Sequence, residues 1–236
     1  MSGSVLVMAK APVPGRAKTR LAGVAGPQGA AELAAAALLD TLAAGAEAFP
    51  TGHRVLALDG DLNDGCRSAA IRRALRGWVV VPQGGATFGE RLVDGHRQAH
   101  RRARGPVVQI GMDTPQVSAA LLRDVAELAH RHGGPVLGPA VDGGWWVLAT
   151  THAGQADVLE GVPMSRPDTG RLTAAALAAA GHRAAVAVAL RDVDLPQDAE
   201  VVAAMAPQTR FATTWRAVTA DALDGAPVVA TVTVSP

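Results

Sequence analysis

There is no tyrosine in this chain, and among its 236 residues there are only three phenylalanines and one cysteine. The lone Cys66 excludes an internal disulfide framework and suits a reducing compartment. None of the seven histidines stands at a zinc-ligand spacing from a cysteine. No apolar run reaches the roughly 18 residues that a membrane span needs. The Ala-rich stretch 29–46 comes nearest, and Glu32 and Asp40 interrupt it. The opening MSGS has no basic region and the apolar run behind it is short, so no signal peptide is expected. A net charge of +1 gives no field that would gather nucleic acid or an anionic membrane, and neither is expected as a partner. Any anion site must therefore be local. Ser165, in PMSRP, lacks the strand-to-helix setting of a nucleophile, which argues against a Ser/His/Asp hydrolase. What remains is a cytoplasmic, globular chain long enough to build its own core.

Apolar stretches and turn signals alternate along it. Residues 4–9 (SVLVMA), 54–59, 78–82 (WVVVP), 106–113 (PVVQIGMD) and 185–194 (AVAVALRDVD) read as strands. Residues 28–47, 65–76, 89–103, 117–132, 170–181 and 196–205 read as helices. Residues 135–150 read as a hairpin closed by an Asp-Gly-Gly turn. This order predicts an α/β fold with a mixed, mostly parallel sheet and helices on both faces. Residues 1–205 are expected to form one domain. Residues 206–236 are expected to be an extension carrying PVVATVTV (227–234), a candidate edge strand able to pair with a second chain as a homodimer.

Ligands of such sheets bind beyond the carboxyl ends of the strands, and the polar motifs fall there. The first is the loop after strand one, where Lys10, Arg16, Lys18 and Arg20 crowd around Pro12, Pro14 and Gly15. Backbone N–H groups with lysine and arginine make a phosphate cradle, and Gly15 permits close backbone approach. The loop is not a Walker A sequence, and its bland alternative is a solvated basic turn. In GMDTPQ, Asp113 ends a strand and is placed to hold a divalent metal, or else to cap the next helix. In QGGATFGERL, Gln83 offers an amide to a base edge and Gly89 offers room for the ring, unless the segment is only a flexible loop. In VDGGWW, Asp142 and Gly143 are ordinary turn chemistry. The two tryptophans alternate faces, one toward the core and one toward a pocket. In RDVDLPQDAE, a strand would send Asp192 and Asp194 to opposite sides, so that one faces the site. A cap-and-turn role is the alternative, with Pro196 at the first turn of a helix.

Taken in order, MAKAPVPGRAKTRL, QGGATFGERL, GMDTP, GPAVDGGWW and DVDLPQD resemble the DUF2064 family over roughly residues 4–204. That family is related to the cofactor guanylyltransferase CofC and to MobA-like enzymes of the GT-A nucleotide-diphospho-sugar transferase superfamily. The resemblance implies a Rossmann-like GT-A fold that binds a nucleoside triphosphate or a nucleotide sugar, with Mg²⁺ or Mn²⁺ and a small-molecule acceptor. It places Met8, Ala9, Lys10, Gly15, Arg16, Lys18, Gln83, Gly89 and Glu90 on the nucleotide, with Lys18, Arg20 and Asp113 in catalytic positions. It makes Asp113 and Asp194 the metal ligands and puts Asp142, Gly143, Gly144 and Trp145 on the acceptor side. This chain has DVDLPQD where DVDTPED is commoner, PMSRPDTG where a W-S segment is usual, and no D-x-D in GMDTP.

The chemistry expected from the basic loop is nucleotidyl transfer, with GTP or CTP favoured and a phosphorylated or phosphonate acceptor. A cationic loop suits the β- and γ-phosphates of a triphosphate. Glycosyl transfer from a nucleotide sugar is the second reading and a catalytically silent nucleotide-binding module the third.

Overall fold

The computed structural model describes residues 3–224. Strand β1 (Ser4–Lys10) is buried at every residue but its last, as its unbroken apolar run requires of a strand covered on both faces. It lies between β2 (Arg54–Asp59) and β4 (Val107–Gly111), parallel to both. Strand β3 (Val79–Pro82) extends the parallel run to one edge. Beyond β4, strand β6 (Trp145–Thr150) runs antiparallel to both β4 and β5 (Val136–Pro139). The other edge is the two-residue β7 (Ala185–Val186), parallel to β5. The order is β3-β2-β1-β4-β6-β5-β7, the mixed, mostly parallel sheet that the sequence predicts. The chain builds outward from β1 through β2 to β3, then returns to the opposite side of β1 as β4. A crevice opens at such a switch point, at the carboxyl ends of β1 and β4.

Helices α1 (Ala22–Ala48), α2 (Ser68–Ala74) and α4 (Ala119–His132) cover one face of the sheet. Helices α3 (Phe88–His100) and α5 (Thr169–Ala179), with a 3₁₀ segment at Ala153–Gly161, cover the other. The sequence reading starts the first helix at 28. The structure adds a turn before a kink at Gly26 (φ 65°), where Pro27 begins the long segment. The helical stretch Thr19–Ala48 is long and apolar enough to cross a membrane by length and composition, yet 78% of its apolar window is buried. Its alanines meet the sheet on one side. On the other, Leu33 and Ala37 pack under α6 (Pro196–Met205) and under Phe211 and Trp215 of α7 (Arg210–Asp224).

Buried Asp40 of α1 accepts hydrogen bonds from the backbone N–H groups of Arg210 (3.2 Å) and Phe211 (2.9 Å), and so holds the start of α7. The tail is therefore packed on the body as far as α7. The candidate edge strand 227–234 lies outside the described residues.

One predicted strand is largely absent. Of 185–194, only Ala185–Val186 pair in a ladder, followed by a single bridge from Leu190 to Ala140. Backbone bonding to the β5 segment continues as far as Leu190 and Val141, but 186–190 carries one residue more than 137–140 opposite it, so the ladder breaks. Val186 and Val188 are left exposed, and residues 191–194 run as irregular chain.

At the end of the sheet away from the crevice, His96 and His100 stand one helical turn apart on α3. Their ring nitrogens lie 3.0 and 2.8 Å from the Thr150 hydroxyl at the end of β6. The His152 ring lies edge-on to His182, centroids 5.6 Å apart. Antiparallel pairing puts Thr150 opposite Val107, at the amino ends of the parallel strands and away from the crevice.

Candidate active site

A cavity of about 820 Å³ opens at the switch point, within the range of small-molecule sites. Strand β1 brings Met8, Ala9 and Lys10 to its wall, and the loop behind β1 brings Arg16, Lys18 and Arg20. The end of β4 contributes Asp113 and Thr114, the β5–β6 turn Asp142 and Gly144, the start of β6 Trp145, and the chain after β7 Asp192 and Asp194.

Lys18 lies at the centre. It adopts a left-handed backbone conformation (φ 49°, ψ 40°), which a lysine seldom takes without tertiary support. Its side chain is only 8% exposed. The ammonium donates to the Val193 carbonyl and lies 2.5 Å from Asp113 Oδ1 and 3.7 Å from Asp194 Oδ1. Arg20 donates to the other oxygen of Asp194 at 3.0 Å. Among the described residues Lys10 and Arg16 form no ion pair. The backbone ties the same elements together, with Val193 N–H donating to the Asp113 carbonyl at 2.8 Å.

Asp192 and Asp194 do not diverge as strand alternation would require. Because 191–194 is not a strand, both turn into the cavity, where oxygens of Asp142, Asp192 and Asp194 all lie within 4.8 Å of one another. Half-burial, then the Asp142 carboxylate and more weakly those of Asp194 and Asp113, push the Asp192 carboxyl up to about 6. Three hard oxygen donors crowded in this way suit Mg²⁺ or Mn²⁺, as the chemistry of the set requires. Beside Asp113, the buried Thr114 hydroxyl has no partner among the described residues.

Other expected residues have different local reasons. Gln83 donates its amide hydrogens to the carbonyls of Ala9 (2.9 Å) and Ala57 (3.0 Å), which ties β1, β2 and β3 together and leaves the amide oxygen over. Gly89 is buried where a Cβ would overlap the Leu159 carbonyl, so it serves helix packing. Glu90 accepts from Ala86 N–H (2.7 Å), while Thr87 Oγ1 accepts from Glu90 N–H, which caps α3 and lowers the Glu90 carboxyl. Gly15 occupies a left-handed turn (φ 74°) away from the wall. Trp146 is the core tryptophan, bonded to the Val188 carbonyl at 2.8 Å. Trp145, partly exposed, bonds to Thr173 Oγ1 at 3.1 Å. The sequence reading passed over Asp59, paired with Arg91 at 3.4 Å, and half-exposed Phe88, all three on the cavity wall. The strand-end rule was the signal that would have found Asp59.

The titratable groups at the two ends of the strands act oppositely on stability. Burial, and then neighbouring His100, lowers His96 to about 3, while burial and then His152 lowers His100 to about 4. Unfolding lets both bind protons below about 6.5, so stability rises with pH across this window and is lost as pH falls. Asp192 is raised, and its contribution has the opposite sign. Half-exposed His100 and Asp192 offset each other, which leaves fully buried His96 to set the net slope. Urea unfolding is expected to show stability falling by about 1 kcal/mol between pH 6 and pH 5. A flat or rising stability over that interval would contradict this assignment.

A family model described as "Uncharacterized protein conserved in bacteria (DUF2064)" matches residues 41–166, just over half of the chain. No curated protein matches. Among solved structures, a candidate nucleotide-diphospho-sugar transferase from Desulfovibrio desulfuricans superposes with TM-score 0.79 at 23% identity, covering 95% of this chain and 98% of that one. The 2-C-methyl-D-erythritol 4-phosphate cytidylyltransferase of Thermus thermophilus superposes with TM-score 0.52 at 22% identity, covering 88% and 100%. A cytidylyltransferase from Leptospira borgpetersenii gives TM-score 0.52 at 12% identity, covering 97% and 99%. At these identities the likeness is one of fold.

Proposed function

The chain belongs to the DUF2064 family, and from that premise we propose that it is a nucleotidyltransferase, which moves a nucleoside monophosphate from a triphosphate to a small phosphorylated or phosphonate acceptor. The observation that carries this reading is the meeting of Lys18, Arg20, Asp113 and Asp194 at the switch-point crevice. An acceptor oxygen attacks the α-phosphorus, the bond to the bridging oxygen breaks, and pyrophosphate leaves. Charge spreads over the phosphoryl oxygens, so positioned cations supply much of the stabilisation. Lys10 and Arg16 at the mouth meet the distal phosphates. Lys18 and Arg20 lie where charge develops. Trp145 and the β5–β6 turn, whose Asp142 also reaches Asp194, make the acceptor side.

Asp142, Asp192 and Asp194, with Asp113 next to them, would hold the divalent cation. Such an ion, when bound, neutralises phosphate charge and orients it. CTP and GTP lead the candidates: the names of the fold neighbours point to the first and the resemblance to guanylyltransferases to the second. A cytoplasmic location accords with the single cysteine. A homodimer through a sheet edge accords with exposed Val80 and Val186. Glycosyl transfer remains the second reading, favoured by the name of the Desulfovibrio neighbour.

Thermal-shift measurement with Mg²⁺ tests the proposal. A triphosphate at about 100 times its Kd adds about 2.7 kcal/mol, a rise of about 5–10 °C in Tm for a chain of this size. We expect CTP or GTP to give it. A larger rise with nucleotide sugars transfers the assignment to glycosyl transfer, and no rise with either leaves a nucleotide-free role.

A further inference from the structure

The ammonium of Lys18 is coordinated as a metal ion would be. It donates to the Val193 carbonyl and is ion-paired with Asp113 and Asp194, so that its neighbours are all oxygens, and the side chain is 8% exposed. Lys18 is held there from both ends, by a left-handed backbone on one side and by the Val193–Asp113 backbone bond beneath its ligands on the other. Asp113 and Asp194 are the metal ligands that the resemblance implies, and Asp194 also belongs to the Asp142–Asp192–Asp194 cluster, so the ammonium stands against both sets. Hard divalent cations take carboxylate and carbonyl oxygens of this kind. An ammonium and a divalent ion cannot share one oxygen cage, because each would face the other at contact distance.

We propose that Lys18 is a tethered counter-cation that keeps the Asp113–Asp194 site closed to divalent metal until a polyphosphate draws the ammonium away. A polyphosphate offers Lys18 another anionic partner, charge-assisted and of equal or greater strength. Metal and polyphosphate then enter together rather than in sequence, and the empty site carries no unbalanced carboxylate pair. Only this coupling to polyphosphate rests on the proposed function; the closure itself rests on the contacts of Lys18.

The test measures metal binding directly, with Mn²⁺ alone and no nucleotide, by the electron paramagnetic resonance signal of free Mn²⁺. Wild-type protein, Lys18→Met, Lys18→Gln and Lys18→Arg are compared, each first shown to be folded by circular dichroism. The two neutral variants are expected to bind Mn²⁺ at least about tenfold more tightly than wild type. Lys18→Arg, which keeps the charge, is expected to stay as weak as wild type. Equal affinity in wild type and in whichever neutral variant folds overturns the proposal, and so does tight Mn²⁺ binding by the wild type. A gain in Mn²⁺ affinity without any nucleotide-induced thermal shift upholds the closure and removes the nucleotidyltransferase reading. A nucleotide shift without that gain does the reverse.

Discussion

Lys18→Ala is expected to lower kcat/KM by about 10²-fold or more for whichever triphosphate stabilises the protein. Two losses act together. The substrate forfeits a charge-assisted contact at its phosphates. In addition, Asp113, Asp142, Asp192 and Asp194 lose the one nearly buried cation among them and repel an incoming anion. Before an acceptor is known, calorimetric Kd for the Mg²⁺–triphosphate complex reads the same effect. Lys10→Ala is the internal control. Lys10 is exposed, with no ion pair among the described residues, so its loss should cost about tenfold at most. A Lys18→Ala effect below threefold would reduce the loop to solvated surface. The same substitution works against phosphate and in favour of free metal, and a residue that merely braced the fold would not show that opposition.

Gly143→Ala is expected to destabilise the chain by about 3 kcal/mol, lowering Tm by about 6–12 °C. Gly143 sits at φ 90° in the β5–β6 turn, which an L side chain resists. A Cβ there would also overlap the Pro167 carbonyl, backbone that cannot rotate aside. The turn is clamped to the first turn of α5, with Gly170 N–H donating to the Gly143 carbonyl at 2.9 Å. Displacing it moves Asp142 and loosens the acceptor side of the cavity. Gly15→Ala separates the two causes. Its φ of 74° is also left-handed, but nothing lies within 4 Å of the added methyl. The backbone penalty alone, about 1 kcal/mol, should lower Tm by about 2–4 °C. Equal shifts for the two variants would show that the Pro167 contact is not the cause.

Much of the architecture was legible along the chain. The apolar run of β1, the alternation of strands and helices, and the Asp-Gly-Gly hairpin are local signals, and the structure has each of them. The expectation for 185–194 failed for a nonlocal reason. Its β-branched sequence favours a strand, but a ladder needs matched spacing, and 186–190 has one residue more than 137–140 opposite it. That failure decided the site, because an irregular 191–194 lets Asp192 join Asp142 and Asp194. At Gln83, Gly89 and Glu90 an amide, a glycine and a carboxylate have packing and capping contacts that a sequence does not separate from ligand contacts. Only their neighbours tell these roles apart.

The sequence by itself determined the fold class, the strand ends that carry polar motifs, and the presence of a cationic loop behind β1, since side-chain pattern and turn chemistry act over a few residues. Tertiary structure alone decided that Lys18 rests on Asp113 and beside Asp194, and that three aspartates from two separate loops converge. Those residues lie far apart along the chain, and the closing of β4 against β1 with the return of the chain past β5 brings their charges within a few ångströms.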